Sequence, residues 1–250
     1  MHSDFIKVKD LTMHVRTGGA NAPEGSPVVV LIHGLGVSSR YMMPTANHLV
    51  DFARVYAPDL PGFGLSEKPP QPFSVSELAD YLLAWMDAAN IERAAFVGNS
   101  FGAQIVVDLA VRYPQRVERA VLIALTVDPH ARHALRQIAR LLLDATREPF
   151  SMLPIAVGDY FRAGIRRAAR TLRFALADPI EKKLPRMAAP VLLIRGGRDP
   201  IVPQRWTNEA AQLLPHARLE IIPHAAHAVN YNSPVELVSL LAPFLREPLK

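Results

Sequence analysis

The chain has 250 residues, half of them apolar, with 20% charged residues and a formal net charge of +5. That apolar mass is enough to bury a full core in one large domain, and the charge is too low for a disordered chain. The absence of cysteine excludes a disulfide framework, a cysteine nucleophile and cysteine-bound zinc or iron–sulfur clusters.

Taken in chain order, Met1 to Asp10 is charged and lacks an apolar h-region, so no signal peptide is expected. Phe5–Val8 and Met13–Arg16 read as short strands, followed by a Gly/Pro/Asn-rich loop from Gly18 to Ser26. Val28–Ile32 is a continuous apolar run and predicts a strand buried on both faces. Ser38 or Ser39 caps a helix through Leu49, and Arg54–Ala57 is the next strand. Ser74 with Glu77 forms a capping box for a helix to about Ala89. Ala94–Val97 is a strand, Ser100 to Tyr113 a helix stopped by Pro114, and Val117–Ala124 a strand. From about Asp128 to Leu184 the periodicity is helical throughout. Pro190–Ile194 restores the strand pattern, and Gln204–Leu214, Arg218–Ile222 and Pro234–Leu245 read as helix, strand and helix. Alternating strands and helices predict a mostly parallel sheet of eight strands covered on both faces. The core is expected at 1–127 and 185–250, with a helical cap at 128–184.

Gly98-Asn99-Ser100-Phe101-Gly102 lies between a strand and a helix. This G-x-S-x-G context is a nucleophile elbow, a sharp turn that lifts a serine hydroxyl above the sheet edge. Such a serine needs a base, and the base needs an orienting carboxylate. Asp199, in Gly196-Gly197-Arg198-Asp199-Pro200, follows one strand. His227, in His224-Ala225-Ala226-His227-Ala228, follows the next. Both stand where open α/β sheets place their sites, in the expected order of serine, acid and histidine. Asp128 is the rival carboxylate and His224 the rival base. The oxyanion hole is expected from the N–H groups of Phe101 and Leu35, with Gly36 as second choice for the latter. His33 reads as a structural residue holding that loop.

His33-Gly34-Leu35-Gly36, then Asp59-Leu60-Pro61-Gly62-Phe63-Gly64-Leu65-Ser66, Gly98 to Gly102, Gly196 to Pro200 and His227 to Pro234 together resemble the α/β-hydrolase superfamily. The chain is similar to its esterase, proline iminopeptidase and carbon–carbon hydrolase branches with a helical cap. The resemblance implies a serine hydrolase that needs no metal or cofactor, and a structural role for Asp59. Branches with an aspartate nucleophile are excluded by Ser100. Carbon–carbon hydrolases of meta-cleavage products usually carry Trp after the catalytic histidine, where this chain has Ala228. The expected activity is cleavage of a small carboxylic ester. A carbon–carbon or amide bond is the alternative, as are acyl transfer to an alcohol and a non-enzymatic ligand receptor on the same scaffold.

His130 to Leu184 holds nine Arg and two Lys against five acids, so the basic surplus is local and the rest of the chain is near −1. No nucleic-acid-binding motif accompanies it, and no nucleic acid partner is expected. Leu135, Ile138, Leu141 and Leu142 form one stripe and Arg132, Arg136 and Arg140 another; Gly164–Leu176 repeats the scheme. The segment reads as two amphipathic helices with solvated basic faces; attraction of an anionic substrate or surface is the second reading and membrane association the third. No apolar run is long enough to span a bilayer, so a cytoplasmic protein without stable membrane insertion is expected. The pocket is expected to involve Gly34, Gly36, Met42, Met43, Asn99, Met152, Leu153 and Val229. No oligomeric state can be read.

Overall fold

The computed structural model describes residues 1–248. Eight strands form one sheet: β1 (His2–Val8), β2 (Leu11–Gly18), β3 (Val28–Ile32), β4 (Arg54–Pro58), β5 (Ala94–Asn99), β6 (Val117–Ile123), β7 (Val191–Gly196) and β8 (Ala217–Ile222). Their order is β1-β2-β4-β3-β5-β6-β7-β8. The first two pairings are antiparallel, from the β1–β2 hairpin and from β2 to β4; every later pairing is parallel. The apolar runs explain this arrangement. β5 and β7 are buried at every residue, as strands covered on both faces must be.

The chain leaves β3 toward β4 on one side and returns to β5 on the other. That reversal opens a crevice at the carboxyl ends of β3 and β5, where ligands bind in open α/β sheets. The loop starting at His33 follows β3, and Ser100 follows β5, so both stand at the crevice.

Ten α-helices connect and cover the strands: α1 (Met43–Leu49), α2 (Val75–Ala88), α3 (Phe101–Arg112), α4 (Ala134–Ala145), α5 (Leu153–Ala163), α6 (Ile165–Ala177), α7 (Ile180–Lys183), α8 (Gln204–Leu213), α9 (Val229–Asn232) and α10 (Pro234–Arg246). The expected helix from Ser38 to Leu49 divides: Ser38 caps a single 3-10 turn, and α1 starts beyond it with Pro44 in its first turn. The Ser74–Glu77 capping box is present and closes in both directions. α3 buries Phe101 to Ala110 without a break, the pattern of a helix enclosed between the sheet and its neighbours.

Between β6 and β7 the chain forms α4 to α7. α5 was not separated from its neighbours by periodicity; Gly164, at φ 88°, ends it and starts α6. α4 is oriented differently from the expectation of solvated basic faces. Its buried residues are Gln137 and Asp144, while the Leu135, Ile138 and Leu142 stripe is exposed. Arg132 and Arg140 turn inward instead. Arg132 pairs with Glu181, and Arg140 donates to the Ile201 carbonyl at 3.0 Å. The side that faces the body is therefore held by polar contacts.

Candidate active site

Ser100 sits at φ 56°, ψ −116°, a left-handed strained conformation for a residue with a side chain. Its environment enforces that conformation. The Ser100 N–H donates to the Ile123 carbonyl at 2.8 Å. A Cβ on Gly98 would stand 2.6 Å from the Gly102 carbonyl, and one on Gly102 would stand 2.3 Å from the Ile32 carbonyl. Both elbow positions therefore admit only glycine. Phe101 opens α3, where no helical carbonyl reaches its N–H, so that donor is free to face a ligand.

His227 Nδ1–H donates to Asp199 Oδ2 at 2.8 Å. The other carboxylate oxygen, Oδ1, accepts the N–H groups of Ile201 at 2.7 Å and Val202 at 3.0 Å. The carboxylate is thus fixed in orientation, and it fixes the imidazole tautomer with Nε2 unprotonated. The Gly196-Gly197 pair allows the contact. A Cβ on Gly196 would lie 2.0 Å from the Ala226 carbonyl, so the acid and histidine loops touch backbone to backbone. Asn99 ties the elbow to the histidine loop: its amide donates to the His227 carbonyl at 3.2 Å and accepts from the Tyr41 hydroxyl at 3.2 Å. Among the described residues the Ser100 hydroxyl has no hydrogen-bond partner. Such contacts are often open in enzymes without ligand and tighten when substrate binds.

The rivals stand elsewhere. Asp128 is buried against Arg205, with a 2.7 Å ion pair, and caps the turn at His130. His224 is exposed beside Glu236. His33 accepts the Leu60 N–H through Nε2 at 3.0 Å and donates from Nδ1 to the Gly34 carbonyl at 2.8 Å. Burial pushes its imidazole pKa down, as expected for a neutral structural histidine.

Gly34 packs beside the elbow: a Cβ there would lie 3.4 Å from Asn99 Oδ1 and 3.7 Å from the Ser100 Cβ. Gly36 lies directly under the ring of Tyr160, which descends from α5. Of the expected pocket residues, Met43 and Met152 are partly buried on the core, Met42 and Val229 are enclosed in it, and Leu153 is exposed. Tyr160 was missed because nothing near it in sequence marks which helix side meets the β3 loop.

Two further carboxylates were missed. Asp144, at the end of α4, accepts the His227 N–H at 3.3 Å. Glu148, one turn on, accepts the Ala228 N–H at 2.7 Å and the Asn232 amide at 2.8 Å. Burial is the main cause that raises both acids, Asp144 to about 7. Burial alone would lower His227. The charge and hydrogen bond of Asp199 outweigh it, with Asp144 and Glu148 adding to them, and hold the imidazole pKa above its usual range. The available signal was a pair of acids spaced i, i+4 at the end of an otherwise basic segment.

Comparison with known proteins agrees with this architecture. The Alpha/beta hydrolase family matches residues 29–240. A carbamate hydrolase by name, RutD of Pseudomonas savastanoi pv. phaseolicola, is 28% identical over 88% of this chain and 94% of its own length. The enol-lactonase from Burkholderia xenovorans LB400 superposes with a TM-score of 0.84 at 25% identity, covering 98% of this chain and all of that one. The meta-cleavage product hydrolase from Pseudomonas fluorescens IP01 shares the fold at a TM-score of 0.75 and 24% identity, over 96% of each chain. The chain belongs to the α/β-hydrolase family.

Proposed function

We propose that this hydrolase is a serine enzyme that cleaves small carboxylic esters through an acyl-enzyme intermediate. The observation that carries the reading is the strained backbone of Ser100, held at a helix N-terminus beside an oriented Asp199–His227 pair. Ser100 Oγ attacks the carbonyl carbon and His227 Nε2 takes its proton. Asp199 stabilises the imidazolium, and the N–H groups of Phe101 and Leu35 hold the oxyanion. His227 then protonates the leaving alkoxide. A water molecule repeats the sequence at the acyl-enzyme and releases the acid.

The insertion between β6 and β7 acts as the cap in this reading. It brings Tyr160 onto the Gly34–Gly36 loop, and it positions His227 through Asp144 and Glu148. The likeness to an enol-lactonase supports an ester-type acyl bond, since a lactone is a cyclic ester. Ala228 beside His227 favours this over carbon–carbon cleavage.

The test is a panel of short p-nitrophenyl esters, a lactone, a carbamate, a vinylogous diketone and a prolyl amide, run with the wild type and Ser100→Ala. Ester turnover lost in the variant supports the reading. Turnover retained in the variant, or found only with the diketone or the amide, overturns it.

A further inference from the structure

The insertion carries its apolar side chains on the outside. Leu135 and Leu142 of α4 are 82% and 67% exposed, Phe150 in the turn before α5 is 92% exposed, and Phe161 at the end of α5 is 85% exposed. Ile165, at the start of α6, is 79% exposed. Scattered exposed leucines are ordinary, but five such side chains within one 31-residue stretch call for a partner. The helix geometry excludes chance orientation. Leu135, Ile138 and Leu142 share one side of α4, and its opposite side is fixed to the body by Arg140 and Asp144.

The charges of the segment are sorted in the same way. Asp144, Asp159 and Asp178 are buried, and Glu148 and Glu181 are half-buried. Each of the five is partnered: Asp144 and Glu148 bond the histidine loop and Asp159 the Ser38 hydroxyl, while Asp178 pairs with Lys183 and Glu181 with Arg132 inside the segment. Arg136, Arg147, Arg162, Arg166 and Arg173 are exposed. The outer face therefore presents apolar side chains and cations, with no exposed carboxylate from residues 130 to 184.

We propose that this outer face docks on an anionic lipid surface. Apolar side chains entering the acyl boundary, with arginines at the headgroup level, are the pattern of interfacial binding. A second copy of the same face is disfavoured, because it would set arginine against arginine. An acidic protein would need separate pockets for protrusions on four successive elements, whereas an acyl layer accepts each of them wherever it stands. No helix among the described residues is long and apolar enough to cross a membrane, so the contact is peripheral. The inference is independent of the triad and goes beyond the proposed reaction.

The test is co-flotation of the full chain with vesicles of equal parts phosphatidylglycerol and phosphatidylcholine, against pure phosphatidylcholine vesicles. Docking predicts recovery with the anionic vesicles at low salt and release at high salt. Phe150→Ser with Phe161→Ser should lower the bound fraction about tenfold, and Arg136→Gln with Arg166→Gln should lower it less. Circular dichroism and an unchanged thermal midpoint show that the variants are folded. Absence from the anionic fraction, or equal recovery with neutral vesicles, overturns the proposal. So does a lipid-free dimer, seen by light scattering, that Phe150→Ser and Phe161→Ser dissolve.

Discussion

Serine, histidine and aspartate meet twice in this molecule, and the two meetings differ. In the crevice, His227 bonds Asp199 at 2.8 Å, and the Asn99 amide next to Ser100 donates to the His227 carbonyl at 3.2 Å. At the far edge of the sheet, His14 Nδ1 bonds Asp59 at 2.8 Å and His14 Nε2 accepts from the Ser3 hydroxyl at 2.6 Å. By hydrogen bonds alone the second set is the more complete relay. Its backbone is not. Ser3 lies in the regular β1–β2 ladder, whereas Ser100 is held in a strained turn at the N-terminus of α3. Asp59 also accepts the N–H groups of Ser39 and Leu65. Burial pushes its carboxyl pKa up, and the His14 bond and these backbone bonds outweigh that and hold it down. The edge set is a strut joining β1, β2 and the loop after β4. The difference teaches that residue type and a closed relay do not make a nucleophile. On the proposed reading, placement against free amides and a helix end does.

The largest effect that separates the two is kinetic. Ser100→Ala should lower kcat for a p-nitrophenyl ester by about three to six orders of magnitude, while Ser3→Ala leaves it unchanged. Steady-state assays of the two variants decide this, and comparable losses would erase the distinction. Asp199→Asn should cost about four orders of magnitude, because the amide no longer enforces the tautomer that leaves Nε2 free. His14→Gln, the matching change at the edge, should leave kcat intact. It should instead lower unfolding free energy by about 1–3 kcal/mol in a denaturant titration, since Asp59 loses a buried partner.

A smaller effect reaches the crevice from the insertion between β6 and β7. His227 must be neutral to act as a base, so activity falls as pH drops through its raised pKa. Asp144→Asn removes a negative charge that favours the imidazolium, so the acidic limb of the kcat/KM profile should move to lower pH by about one unit. The shift belongs to pH values where Asp144 is ionised, above its own pKa of about 7. An unmoved limb would mean that Asp144 only fastens the loop.

The crevice was legible in the sequence because its parts are local. A strand, a G-x-S-x-G turn and a helix start are adjacent in the chain, and the Gly196-Gly197 and His227 loops each follow an apolar run. All eight strands were read for the same reason, with ends displaced by at most three residues and β3 matched at both ends. The insertion between β6 and β7 was not legible in the same way. Periodicity shows that α4 has two sides, but not which side meets the body. That is decided by Asp144 and Arg140 finding partners 83 and 61 positions away. Tyr160 over Gly36 and Glu148 on Ala228 are contacts of the same long-range kind.

The central claim, that placement rather than a closed relay selects the nucleophile, is tested most directly by peptide mapping after reaction with a fluorophosphonate probe. The account predicts one adduct, on the peptide containing Ser100, and none in Ser100→Ala. An adduct on Ser3, or labelling that persists at full extent in Ser100→Ala, would contradict it.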